Sequence, residues 1–160
     1  MEINGLPAHV LIVHAAVVFL PLAAVLAVVY AWVVRWRWAT RWPMVGFTAV
    51  ALAAVVSAYF SGRSFLNSKP ELKQLASVQL HRERASVLFW VAIVFAILVF
   101  LAAWGLGGPS GLISGWGGRG RHNPLVEWSL VAMLVIMSVV SLAMVIQTGD
   151  AGATAVWGGG

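Results

Sequence analysis

The chain has 160 residues, 61% hydrophobic and 9% charged, with ten Lys or Arg against five Asp or Glu. A soluble domain carries about 25% charged residues, so this composition excludes a water-soluble globule. Cysteine is absent, which excludes disulfides, Cys-held iron–sulfur clusters, zinc ribbons and covalently attached c-type haem.

The few charges are clustered. None falls between Glu2 and Arg35, between Arg41 and Arg63, between Arg84 and Arg119, or between Glu127 and Asp150. Each gap holds an apolar run long enough for the ~20 helical residues that cross a bilayer. The runs are continuously apolar rather than alternating, which selects helices over a transmembrane barrel. The prediction is an all-α, polytopic membrane protein, an antiparallel bundle of four transmembrane helices forming one domain over 1–160. The net charge of +5 lies in loops beside the spans, so it follows the positive-inside pattern and implies no nucleic-acid partner. Glu2 stands where a signal peptide has basic residues, and no small-residue cleavage site precedes Arg35. The first helix is therefore expected to be retained.

Helix 1 is predicted over Pro7–Val34, bent at Pro21. Arg35, Arg37 and Arg41 then alternate with Trp36, Trp38 and Trp42 in a short interfacial loop. Helix 2 is predicted over Pro43–Phe60, where Ala54, Ala58 and Gly62 recur every fourth position and permit close helix approach. Ser68, Pro70 and Glu71 read as a capped helix start. One uninterrupted helix 3 is expected from near Lys69. Its first part, Glu71 to Arg84, projects from the bilayer by roughly 20 Å, and Ala85–Leu106 spans it. Gly105 to His122 reads as a Gly-rich loop. Helix 4 is predicted over Pro124–Gln147, ended by Gly149. Met133, Met137 and Met144 share one face of it, a packing pattern.

With four spans, both termini and the Ser61–Arg84 segment share one side. The arginines of the first short loop place the opposite side in the cytoplasm. Trp32, Trp36, Trp38, Trp42, Trp104, Trp116 and Trp128 mark that interface.

The unusual residues gather at the outer end. His14 is an ionisable group inside an apolar span, a functional signal by default. His9 is nearer the interface and about 140° away around the helix, so the two are expected to face different partners rather than to grip an ion as an i, i+4 pair does. His81 stands where helix 3 enters the membrane, in the run His81-Arg82-Glu83-Arg84. Asp150 either orients a histidine by accepting its second ring N–H or pairs with Arg63. No HExxH, P-loop, GxGxxG or Ser-His-Asp arrangement is present, and no stand-alone catalytic activity is expected.

Gly5-Leu6-Pro7-Ala8-His9, followed by Leu11-Ile12-Val13-His14, resembles the opening of the domain-of-unknown-function family 2231. His81 before the third span and Thr148-Gly149-Asp150-Ala151-Gly152-Ala153 with Ala155-Val156-Trp157 add to the likeness. The resemblance implies a small four-helix protein of the bacterial cytoplasmic membrane. Some members are joined to Rieske-type domains, a hint of redox chemistry. Members often carry a proline after the first histidine and a histidine in place of Asp150, where this chain has Val10 and Asp150.

Three functions follow as expectations. The first is a haem b site for electron transfer at the outer end, ligated by His14 and His81 with His9 in reserve. The second is a non-catalytic subunit of a larger respiratory or photosynthetic membrane complex, or a homo-oligomer. The third is an ion or metal transporter using His9, His14, His81 and Asp150.

Overall fold

The computed structural model describes residues 2–3, 6–106 and 124–157, with side chains from residue 12 onward. A short antiparallel pair, β1 (Glu2–Ile3) with β2 (Leu6–Pro7), leads into α1 (Ala8–Trp32). A 3-10 turn over Val34–Trp36 joins it to α2 (Arg37–Ser68). A second 3-10 segment over Pro70–Gln74 precedes α3 (Ala76–Gly105), and α4 runs over Pro124–Trp157. All four helices are long and apolar enough to cross a membrane. They form a ring in chain order: α1 packs most closely on α2 and α3 on α4, α1–α4 and α2–α3 complete it, and the diagonal pairs scarcely meet.

The interior is built from small residues. Ala16, Ala23, Ala24 and Ala27 of α1, Ala51 of α2, and Ala92, Ala96 and Ala102 of α3 are buried around Leu20, Tyr30, Met44, Phe95, Val99 and Leu134. The larger apolar side chains point outward: Val18, Leu22 and Val25 on α1, Trp90, Val94, Ile97 and Leu101 on α3, Ile136, Val139 and Ile146 on α4. Lipid tails do not drive such side chains inward, so small residues go where backbones approach and large ones face the bilayer. The apolar exterior fits contact with lipid.

Four expected boundaries need correction. Helix 2 is not confined to Pro43–Phe60. It continues to Ser68 because nothing after Phe60 breaks it: Ser61 and Ser68 turn their hydroxyls back onto the carbonyls of Ala58 and Phe65, and Arg63 bonds the Tyr59 hydroxyl one turn earlier. Ser68 therefore closes α2 rather than capping helix 3. The single helix 3 from Lys69 is also interrupted. Lys69, forced off helical geometry ahead of Pro70, has φ −133° and ψ 72°. Leu75 is extended, at φ −72° and ψ 125°. The α-helical part preceding the span is thus Ala76–Arg84, about 13 Å. At the other end, α4 passes through Gly149 and Gly152 to Trp157. The expected Gly-rich loop lies outside the described residues from Gly107 to Asn123, as does His122.

The extension expected of helix 3 is consequently shared by α2, α3 and α4. Arg37 binds the carbonyls of both Tyr30 and Leu106, which puts these at one level. Counting 1.5 Å per residue from there, α1 reaches about 33 Å while the other three reach about 45 Å.

Candidate functional site

The sequence-predicted site lies at the far end from Arg37. His81 falls on the inward line of α3, one heptad before Leu88, and is half-buried. Its ring meets α4: the Nδ1 atom lies 3.1 Å from the Thr148 carbonyl. A carbonyl only accepts, so the contact requires the proton on Nδ1. Gly152 makes this approach feasible, since a Cβ there would stand 3.1 Å from His81 Cε1 and 3.2 Å from Nδ1. One turn along, Arg84 donates to the Gln147 carbonyl at 3.0 Å. Two successive carbonyls of α4 are thus held from α3, and this seam carries α4 past Gly149 despite a helix-interior glycine costing about 1 kcal/mol.

His14 is placed differently. It is exposed, and at 100° per residue it lies roughly opposite the Ala16–Leu20–Ala23–Ala27 line that faces the core. It sits about 24 Å along α1 from the common level, and His81 about 37 Å along α3. They are therefore some 13 Å apart in height, on helices that are diagonal in the ring. The structure does not bring His14 and His81 together, and the pair does not fit bis-imidazole ligation of one haem iron. The His9 side chain lies outside the described residues. Asp150 is exposed, and its carbonyl receives the Thr154 hydroxyl. Arg63 bonds Tyr59 and lies over its ring at 5.5 Å. Among the described residues Asp150 and Arg63 form no ion pair, and no group of three or more His, Asp or Glu is arranged to hold a metal ion.

The sequence reading missed the main polar cluster, at the opposite end. The Arg–Trp alternation puts Arg37 in an interfacial loop, yet it is 4% exposed. Its Nε donates to the Tyr30 carbonyl at 3.1 Å, one terminal nitrogen to Ala31 at 3.3 Å, and the other to Leu106 at 3.0 Å. That last nitrogen also meets Glu127 Oε1 at 3.3 Å, with the Glu127 side chain 46% exposed. The carbonyls belong to the last turn of α1 and to Leu106, the residue that caps α3, where helix ends lack intrahelical donors and carry the negative pole. Glu127 lies in the first turn of α4, so one planar guanidinium ties all four helices. Tyr30 reinforces the joint by donating to Ala102 at 3.2 Å beneath the Arg37 cation. A periodicity signal existed: Arg37 stands seven residues before buried Met44, and Glu127 seven before buried Leu134.

Between the two ends, Thr48, Ser138 and Ser141 are fully enclosed. Ser138 bonds its own Leu134 carbonyl at 2.8 Å, while the Thr48, Ser141 and Thr148 hydroxyls have no protein partner. The identified buried contacts thus fasten helix to helix or satisfy a helix's own carbonyl. No protein-family model, curated protein or solved structure matches this chain.

Proposed function

We propose that this chain is a non-catalytic accessory subunit of a larger membrane assembly. The observation that carries the reading is the step at the far end of the bundle. There α2, α3 and α4 rise about 12 Å beyond α1. The risen parts expose Phe65, Leu75, Val156 and Trp157. These apolar side chains lie past the Tyr59–Phe60–Phe89–Trp90 aromatic cluster, at a height of about 35 Å or more, where a hydrocarbon core of about 30 Å has ended. Exposed apolar groups beyond the hydrocarbon core, carried on segments that α1 does not flank, suit a protein-docking surface. The fastened, small-residue interior supports the same reading, because it suits a rigid scaffold. Arg35, Arg37 and Arg41 at the short α1–α2 connection support placing this end in the cytoplasm, with the projecting end on the outer side of a bacterial inner membrane.

A photo-crosslinking residue at Trp157, compared with one at lipid-facing Ile97, tests this in native membranes. The Trp157 position should give one discrete, larger membrane-protein adduct, and the chain should leave mild detergent in that complex. A chain that runs alone, with adducts only to lipid or to itself, overturns the proposal. A Soret band from natively purified protein that disappears in His81→Ala would move the reading to haem binding.

A further inference from the structure

We infer that one water molecule is bound inside the bundle near mid-membrane, held between Thr48 of α2 and Ser138 and Ser141 of α4. Heights follow from the rise of about 1.5 Å per helical residue, counted from Tyr30, Arg37, Leu106 and Glu127, which the Arg37 guanidinium brings together. Thr48 and Ser138 then stand at about 17 Å and Ser141 at about 21 Å, near the centre of a hydrocarbon core of about 30 Å. At the height of Ser141 the other three helices present Ala16, Ala51 and Ala92, all buried. Every helix thus gives one of the smallest side chains to this level, and Ser141 is the polar one. The levels on either side are apolar. Ala23, Met44, Val99 and Leu134 are fully enclosed at about 10 Å, and Val55, Leu88 and Val145 are buried at about 27 Å.

The hydroxyls between these seals are fully enclosed. Ser138 donates to the Leu134 carbonyl at 2.8 Å, which leaves its oxygen able to accept. The Thr48 and Ser141 hydroxyls have no protein partner, although each could turn back onto its own helix as Ser138 does. Keeping two such groups dry costs more than ordering one water among them. A buried water characteristically makes about three hydrogen bonds to groups of this kind, and three hydroxyls are gathered here. A cation does not suit the level. Glu83, Glu127 and Asp150 of α3 and α4 lie at least about 13 Å away along the bundle, so its charge would be uncompensated. The water joins α2 to α4 across the ring in mid-membrane, as Arg37 and Glu127 join them at one end.

The test uses the full chain in phosphatidylcholine bilayers, deuterated except at its alanine methyl groups. Solid-state NMR then reads magnetisation transfer from water to each methyl. Ala51 and Ala92, at the level of the hydroxyls, should receive it, and Ala23, in the apolar level nearer Arg37, should receive severalfold less. Thr48→Val with Ser141→Ala should abolish the transfer to Ala51 and Ala92. In unfolding by denaturing detergent, Thr48→Val should lower the midpoint in the wild-type background and lower it less beside Ser141→Ala, because the water is lost only once. No transfer to Ala51 and Ala92 in the wild type overturns the inference, and so does equal transfer to Ala23, which would mean water throughout the interior. A Thr48→Val effect that is the same with and without Ser141→Ala overturns it as well and leaves the two hydroxyls acting separately.

Discussion

Replacing Arg37 by methionine isolates what its guanidinium contributes, because methionine keeps much of the apolar stem and removes every donor. Three helix-terminal carbonyls, those of Tyr30, Ala31 and Leu106, lose their charged donor. Each hydrogen bond to a charged group is worth about 1.5–3 kcal/mol. Against that stands the recovered cost of desolvating the guanidinium, itself several kcal/mol. Glu127 is 46% exposed and can turn to water, so leaving it behind adds little. The expected net loss is about 3 kcal/mol. Arg37→Lys should recover part of the stability, since a compact ammonium keeps the charge but not the planar fork. Glu127→Gln should cost under about 1 kcal/mol, because an exposed ion pair is weak. The assay is reversible unfolding in mixed micelles as the fraction of denaturing detergent rises, followed by helicity and tryptophan fluorescence. An unchanged midpoint for Arg37→Met would show that water replaces the fork at no cost. A loss in Glu127→Gln equal to that in Arg37→Met would mean that the ion pair, not the carbonyl cap, holds this end together.

The remaining predictions concern the far end. Gly152→Ala gains about 1 kcal/mol of helix propensity but drives a methyl group to within 3.1 Å of the His81 ring. The gain should appear only beside His81→Ala, and a double-mutant cycle that closes additively would dismiss the close approach. Ser77→Pro should be nearly neutral in the same unfolding assay, because Ser77 is in the first turn of α3, whereas an uninterrupted helix from Lys69 would make it cost about 3 kcal/mol. His14→Ala should shift stability by less than about 0.5 kcal/mol, in keeping with an exposed position on the outer face of α1, and a large loss would show that its contacts bear on the fold. Single cysteines at Glu71 and Lys73 should react with a membrane-impermeant reagent while one at Val94 does not, and the reverse pattern would displace the bilayer from the assigned spans.

What was legible in the sequence, and what was not, follows from how a bilayer differs from water. Charge-free stretches mark candidate spans, and α1 through α4 fall on the four stretches. Helix ends were harder, because the same residue serves opposite purposes. Ser68 reads as a cap opening a helix, yet its hydroxyl bonds the Phe65 carbonyl at 2.7 Å and closes one. Gly149 reads as a terminator, but the His81 and Arg84 contacts to α4, which local sequence does not reveal, hold that helix beyond it.

Faces were hardest of all. In water, the inward side of a helix is the apolar side, but α1 is apolar all round, and the prominence of His14 came from its depth alone. Here the inward side is marked by size: alanine at positions 16, 23, 24 and 27 inside, valine and leucine at 18, 22 and 25 outside. Reading α1 by side-chain volume puts His14 on the bulky, outward face. Reading α2 and α4 by seven-residue steps back from Met44 and Leu134 brings Arg37 and Glu127 onto the inner lines. The physical signal for the main polar joint was therefore present in the chain, carried by the spacing of small and buried residues rather than by the conspicuous histidines.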